Sequence, residues 1–181
     1  MTRKTFFLLG WLTLIGFSSL GGIIIEKFLD VRFFSIFTSS FKWYYQVLIG
    51  LAYGVLAALA GWQIIKTPML NASKQFFSDL IQVLNLKICD IIFISLCAGT
   101  GEEILFRGAI QPYLGIWVTA ILFVAIHGYL NPMNWKLSIY GFFMCFVIAG
   151  MGYLCAELGI VTAISAHFAI DVILLSALVK K

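Results

Sequence analysis

Gly101-Glu102-Glu103-Ile104-Leu105-Phe106-Arg107 places two adjacent carboxylates and a guanidinium inside an otherwise apolar stretch, with Ile91 to Leu96 before it and Ala109 onward after it. A charge at bilayer depth costs at least a few kcal/mol, so such groups face inward and commonly serve function. The surroundings decide that this is bilayer depth. The chain of 181 residues is 62% hydrophobic and 11% charged, against about 25% charged in a soluble domain. It reads as all-α, a polytopic transmembrane helical bundle. Its length leaves room for about six spans of about 20 residues each, plus an amphipathic interfacial helix. No stretch is polar enough for a soluble domain, so residues 1–181 form a single membrane domain with its motif-bearing core at about 89–179. The net charge of +4 fits membrane topology, and no basic cluster interleaved with aromatics points to nucleic acid.

Working outward from the motif, the third span covers about Cys89 to Ile110, and Pro112 is expected to end it. The fourth runs from about Ile116 to Tyr129, the fifth from about Leu137 to Cys155, and the sixth from about Leu158 to Val179. Upstream, Phe6 to Ile25 reads as a retained first span, although its charged start also resembles a signal peptide. Trp43 to Ile65 is a second span with aromatic ends, and Gly50, Gly54 and Gly61 permit close helix packing. Between Lys66 and Lys87, Phe76, Phe77, Leu80, Ile81, Leu84 and Ile88 recur at helical spacing. That pattern predicts an amphipathic connector lying on the membrane surface. Cys89, Cys97, Cys145 and Cys155 show no paired spacing and read as small hydrophobes.

Six spans put both termini and the 66–87 and 131–136 connections on one side. Arg3, Lys4, Lys66, Lys74, Lys87, Lys136, Lys180 and Lys181 fall there, against Lys27, Arg32 and Lys42 opposite. The positive-inside rule makes the first side cytoplasmic.

The intramembrane polar groups are Glu102, Glu103, Arg107, His127, His167 and Asp171. Counted from the turns at Leu114 and Glu157, Glu102 and His127 lie roughly 18 and 19 Å deep, and His167 and Asp171 about 15 and 21 Å. Three helices therefore bring two histidines and several carboxylates to one slab. Glu103 and Arg107 share a face at i, i+4, so Arg107 is expected to neutralise Glu103. Glu102, rotated by about 100°, is left for chemistry. His167 and Asp171 repeat the spacing, as do Phe123 and His127. One reading makes Glu102 the general base on a water, helped by His127, with His167 and Asp171 stabilising an oxyanion. Another has His127, His167 and Glu102 hold a zinc ion that activates the water. A proton or ion relay and a purely structural polar network use the same residues.

Glu102-Glu103-x-x-x-Arg107, Phe123-x-x-x-His127 and His167-x-x-x-Asp171, in that order, resemble the three motifs of the CAAX prenyl protease and bacteriocin-processing family, also called the Abi or self-immunity family. The resemblance covers about Cys89 onward. It implies an all-helical intramembrane endopeptidase acting on peptide or lipidated protein substrates within membrane lipid, with its site open to the cytoplasm. By motif, Glu102 and His127 would activate the water, His167 and Asp171 would form the oxyanion site, and Glu103, Arg107 and Phe123 would support them. Asp171 stands where eukaryotic-type members are best known with Asn, and an ionised Asp donates no hydrogen bond. The family admits metal-dependent and glutamate-only readings, so zinc is a candidate cofactor. A non-catalytic immunity or interaction protein keeping the scaffold is the alternative function. A small transporter ranks below it, because no half-to-half symmetry is present.

Overall fold

The computed structural model describes residues 2–179, so Lys180 and Lys181 of the charge count lie outside the described residues. Among the described residues, five helices are long and apolar enough to cross a membrane. They are α1 (Arg3–Lys27), α2 (Trp43–Ile65), the stretch Ile88–Ile126, α6 (Trp135–Leu158) and α7 (Ile160–Val179). Amphipathic α3 (Asn71–Gln82) lies between α2 and that stretch.

Ile88–Ile126 has 39 residues and would reach roughly 58 Å if straight, about twice the hydrocarbon core. It folds back instead. The Phe106 and Phe123 rings lie 4.9 Å apart, where seventeen residues of straight helix would separate them by roughly 25 Å. The break is Gly115, whose φ of 73° suits a residue without Cβ. The stretch is therefore two helices. The first is α4 (Ile88–Glu103), prolonged by wide π-type turns over Ile104–Ile110, and the second is α5 (Gln111–Ile126).

Two expectations need correction here. Pro112 does not end the third span, because it sits in the first turn of α5, where its missing N–H costs nothing. The fourth crossing is only half helical. Past Gly115, α5 runs eleven residues, roughly 17 Å, and stops at Ile126 rather than Tyr129, with His127 as its cap. The chain then turns at Gly128 (φ 76°) and continues without helix to Asn134. Irregular backbone at such depth is tolerated where protein buries it or it borders a cavity, and Tyr129 lines one.

The central crossing is α2 against α7. A Cβ at Gly54 would fall within 2.3 Å of the Ala166 carbonyl oxygen, and one at Gly50 equally close to that of Thr162. Backbone therefore meets backbone, as small residues allow between membrane helices. Gly54→Ala is expected to push α7 outward and to cost about 1–3 kcal/mol. A lowered Tm in detergent would show it.

Elsewhere, α1 is secured by Arg3, whose guanidinium donates to both Asp90 oxygens at 2.8 and 2.6 Å. Asp90 also accepts the Lys87 N–H at 2.8 Å, capping α4. The α3 helix is amphipathic, as its periodicity predicts. Within its apolar stripe Phe77 and Ile81 face a cavity, while Phe76 and Leu80 are exposed. Ser78 Oγ donates to the Leu178 carbonyl at 3.0 Å, fixing α3 against α7 as a wall.

Candidate active site

Glu103 is the most enclosed charge of the site, with no exposed surface. Its Oε2 lies 3.0 Å from Arg107 Nε, and its Oε1 lies 2.8 Å from His167 Nδ1. One carboxylate thus bridges a guanidinium on its own helix and an imidazole on α7. Arg107 Nη2 donates to the Ile148 carbonyl at 3.4 Å, and the guanidinium carbon stands 5.0 Å from the Phe123 ring centre. A buried ion pair holds together only when its remaining groups are also met. Here α6, α5 and α7 all contribute.

Glu102, one residue earlier, points elsewhere. Its Oε2 is 3.4 Å from His127 Nε2. The other nitrogen of that ring, Nδ1, is 2.7 Å from the Phe123 carbonyl oxygen, so it carries the proton and donates. In the neutral imidazole Nε2 then presents a lone pair towards Glu102. Phe123 stacks on His127 with 4.3 Å between centroids and meets His167 edge-on at 5.8 Å. A single phenyl ring thereby sets both imidazoles. His167 Nε2 lies 3.6 Å from Asp171 Oδ2, which is beyond hydrogen-bond reach.

Asp171 opens onto a cavity of about 230 Å³ between α3, α6 and α7. Its walls are mainly apolar, with Phe77, Ile81, Leu137, Leu174 and Leu178. Ser73, Lys74, Tyr129 and Tyr140 supply the other polar groups. Glu102, Glu103, Arg107, Phe123, His127, His167 and Asp171 are thus joined by contacts into one cluster, and Asp171 of that cluster lines the apolar recess.

Residues 84–173 match the family described as type II CAAX prenyl endopeptidase Rce1-like. This segment belongs to the Rce1-like family. The uncharacterized protein YpbD of Bacillus subtilis (strain 168) is 34% identical over 84 residues, 46% of this chain and 42% of that protein. The match therefore spans less than half of that relative's length. No solved structure matches.

The Rce1-like segment begins just after α3 and contains every site residue named from the sequence. The zinc reading names His127, His167 and Glu102 as ligands. Among the described residues no three His, Cys, Asp or Glu side chains form a group able to hold a metal ion. Three participants escaped the sequence reading. Tyr129 and Tyr140 border the recess, their rings 5.4 Å apart, and Lys74 lines it with its Nζ 5.7 Å from the Trp62 ring centre. The signal for Tyr129 was its place two residues beyond His127. For Lys74 it was the i, i+3 and i, i+7 spacing to Phe77 and Ile81.

Proposed function

We propose that the chain is an intramembrane endopeptidase of the CAAX-protease type. It hydrolyses peptide bonds of membrane-associated or lipidated substrates with a water activated by Glu102 and His127. The observation that carries this reading is the 3.4 Å approach of Glu102 Oε2 to His127 Nε2. Two acceptors so placed are met together by one water donating a proton to each. Loss of a proton to Glu102 leaves hydroxide to attack the scissile carbonyl carbon, and the C–N bond breaks as Glu102 returns that proton to the departing amine.

His167 faces the developing oxyanion. Glu103 holds its Nδ1–H, and as an imidazolium it has Nε2–H to donate. Asp171, with no hydrogen to donate when ionised, positions His167 and the substrate. Glu103 and Arg107 are positioning residues, acting through His167. The apolar recess beside Asp171 supports a substrate whose chain or lipid is apolar. The basic bias of the α3 side, Lys66, Lys74, Lys87 and Lys136 against Lys27, Arg32 and Lys42, supports a cytoplasmic recess and cytoplasmic termini. The Bacillus relative supports a prokaryotic plasma membrane.

The test is cleavage of quenched lipidated peptides by purified protein, wild type beside Glu102→Gln, each with and without chelator. Cleavage kept with chelator and lost in Glu102→Gln is expected. Cleavage abolished by chelator would sink the metal-free mechanism, and full activity of the variant would sink the role of Glu102.

A further inference from the structure

In the hydrolysis proposed above a single group, Nε2–H of His167, faces the oxyanion. Asp171 beside it, when ionised, accepts hydrogen bonds and donates none. His127 has no hydrogen to spare, because its Nδ1–H goes to the Phe123 carbonyl at 2.7 Å. A negative oxygen forming in apolar surroundings is stabilised chiefly by donors aimed at it beforehand. The chain carries a neutral one two residues past His127.

Tyr129 is placed by the end of α5. Gly128 takes a left-handed turn with its N–H donating to the Ala125 carbonyl at 2.9 Å, and the Tyr129 N–H donates to that of Val124 at 3.3 Å. These two bonds make the Schellman motif that closes many helices, so the Tyr129 backbone is fixed relative to His127. The rings of the two residues lie 6.3 Å apart and within 10° of parallel. Phe77 from α3 and Tyr140 from α6 hold the phenol on other sides, at 6.2 and 5.4 Å between centroids. Tyr129 lines the recess together with Asp171, and its hydroxyl lies within the fields of both the Asp171 and Glu102 carboxylates. Among the described residues that hydroxyl has no hydrogen-bond partner, yet it is not enclosed. Its O–H is spare. The other donors of the recess are turned elsewhere. Lys74 Nζ stands over the Trp62 ring, the Tyr140 hydroxyl lies 3.7 Å from where a Cβ on Gly61 would be, and Ser73 is joined to Asn134 at 3.3 Å.

We propose that Tyr129 is a further catalytic residue whose O–H donates to the oxyanion beside His167, a role that rests on the hydrolytic reading. As hydroxide adds to the scissile carbonyl carbon, the C=O π pair moves onto oxygen, which accepts from Tyr129 and from His167. No proton leaves the phenol. When the C–N bond breaks, the pair returns and the carbonyl re-forms. Tyr129 thereby supplies the neutral donor that an ionised Asp171 cannot.

Tyr129→Phe removes the hydroxyl and keeps the ring among Phe77, His127 and Tyr140. Its kcat on a quenched lipidated peptide should fall about 10²–10³-fold, the usual loss for one oxyanion donor, with KM and Tm unchanged. Two uncleavable analogues of that peptide separate donation from packing. A phosphinate, which carries the tetrahedral oxygens, should lose affinity by the same factor. A reduced amide, which lacks the oxygen, should bind as before. A second variant replaces Tyr129 by a ring-fluorinated tyrosine, a more acidic phenol of similar size. Its kcat should match wild type on the acidic side of the optimum. With rising pH it should fall earlier than wild type, as ionisation takes the donated hydrogen away. Wild type that cleaves, beside a folded Tyr129→Phe protein of full kcat, would overturn the role of Tyr129 and leave the hydrolytic reading standing. So would equal weakening of both analogues, or an alkaline limb that the fluorinated residue does not move. Wild type that cleaves no peptide would overturn the hydrolytic reading, and the role of Tyr129 with it.

Discussion

Glu103→Ala is expected to destabilise the protein by about 3–5 kcal/mol, the cost of breaking a buried charge pair from one side. The carboxylate is wholly enclosed and is met by Arg107 Nε at 3.0 Å and His167 Nδ1 at 2.8 Å. Its removal leaves a guanidinium 1% exposed and an imidazole 9% exposed, both without their acceptor. Glu103→Gln keeps the volume and one acceptor oxygen, so it should fall between wild type and Ala. Unfolding in detergent, followed by helix signal against denaturant, measures the difference. A loss below about 1 kcal/mol for Glu103→Ala would place Glu103 among surface-like ion pairs and overturn the account of it as the tie between two helices. Activity should fall with stability in these variants, since His167 loses the partner that fixes its Nδ1 proton.

Much of this arrangement was legible because intramembrane charges are scarce. With six such residues in apolar surroundings, the depth count from two turns sufficed to place them in one slab, and Glu103 and Arg107 pair as their spacing predicts. The second partner of Glu103 was not legible. An i, i+4 rule describes one helix, and whether His167 turns towards Glu103 or Asp171 depends on the rotation of α7, which Gly50 and Gly54 set from α2. The half-length α5 was hidden for a related reason. Hydropathy continues through Ala125 and Ile126 towards Tyr129, while the backbone stops at His127 because Gly128 takes a left-handed turn. The α3 helix was legible as amphipathic, but which edge of its broad apolar stripe lines a recess was not, because periodicity gives the stripe and not its neighbours. Asp90 went unremarked since a charge three residues past Lys87 looks like the end of a polar connection. Its partner Arg3 lies 87 positions away.

Glu102→Gln and His127→Ala should each lower kcat by about 10²–10⁴, the usual contribution of a positioned general acid or base, with little loss of stability. The contrast with Glu103 follows from enclosure and partnership. The Glu102 side chain is 13% exposed and that of His127 33%, and Glu102 has only the 3.4 Å contact with His127 to lose. The informative variant is the double one. If both residues act on one water, removing the second after the first takes away nothing further, and the double variant should be no slower than the worse single one. If instead each assisted a separate step, the two losses would multiply, to about 10⁴–10⁸ when each single variant loses the usual factor. Single-turnover cleavage of one lipidated peptide by the four proteins, at matched folded fraction, distinguishes the two. Multiplicative losses would break the pairing of Glu102 with His127 on a shared water even if both residues proved essential.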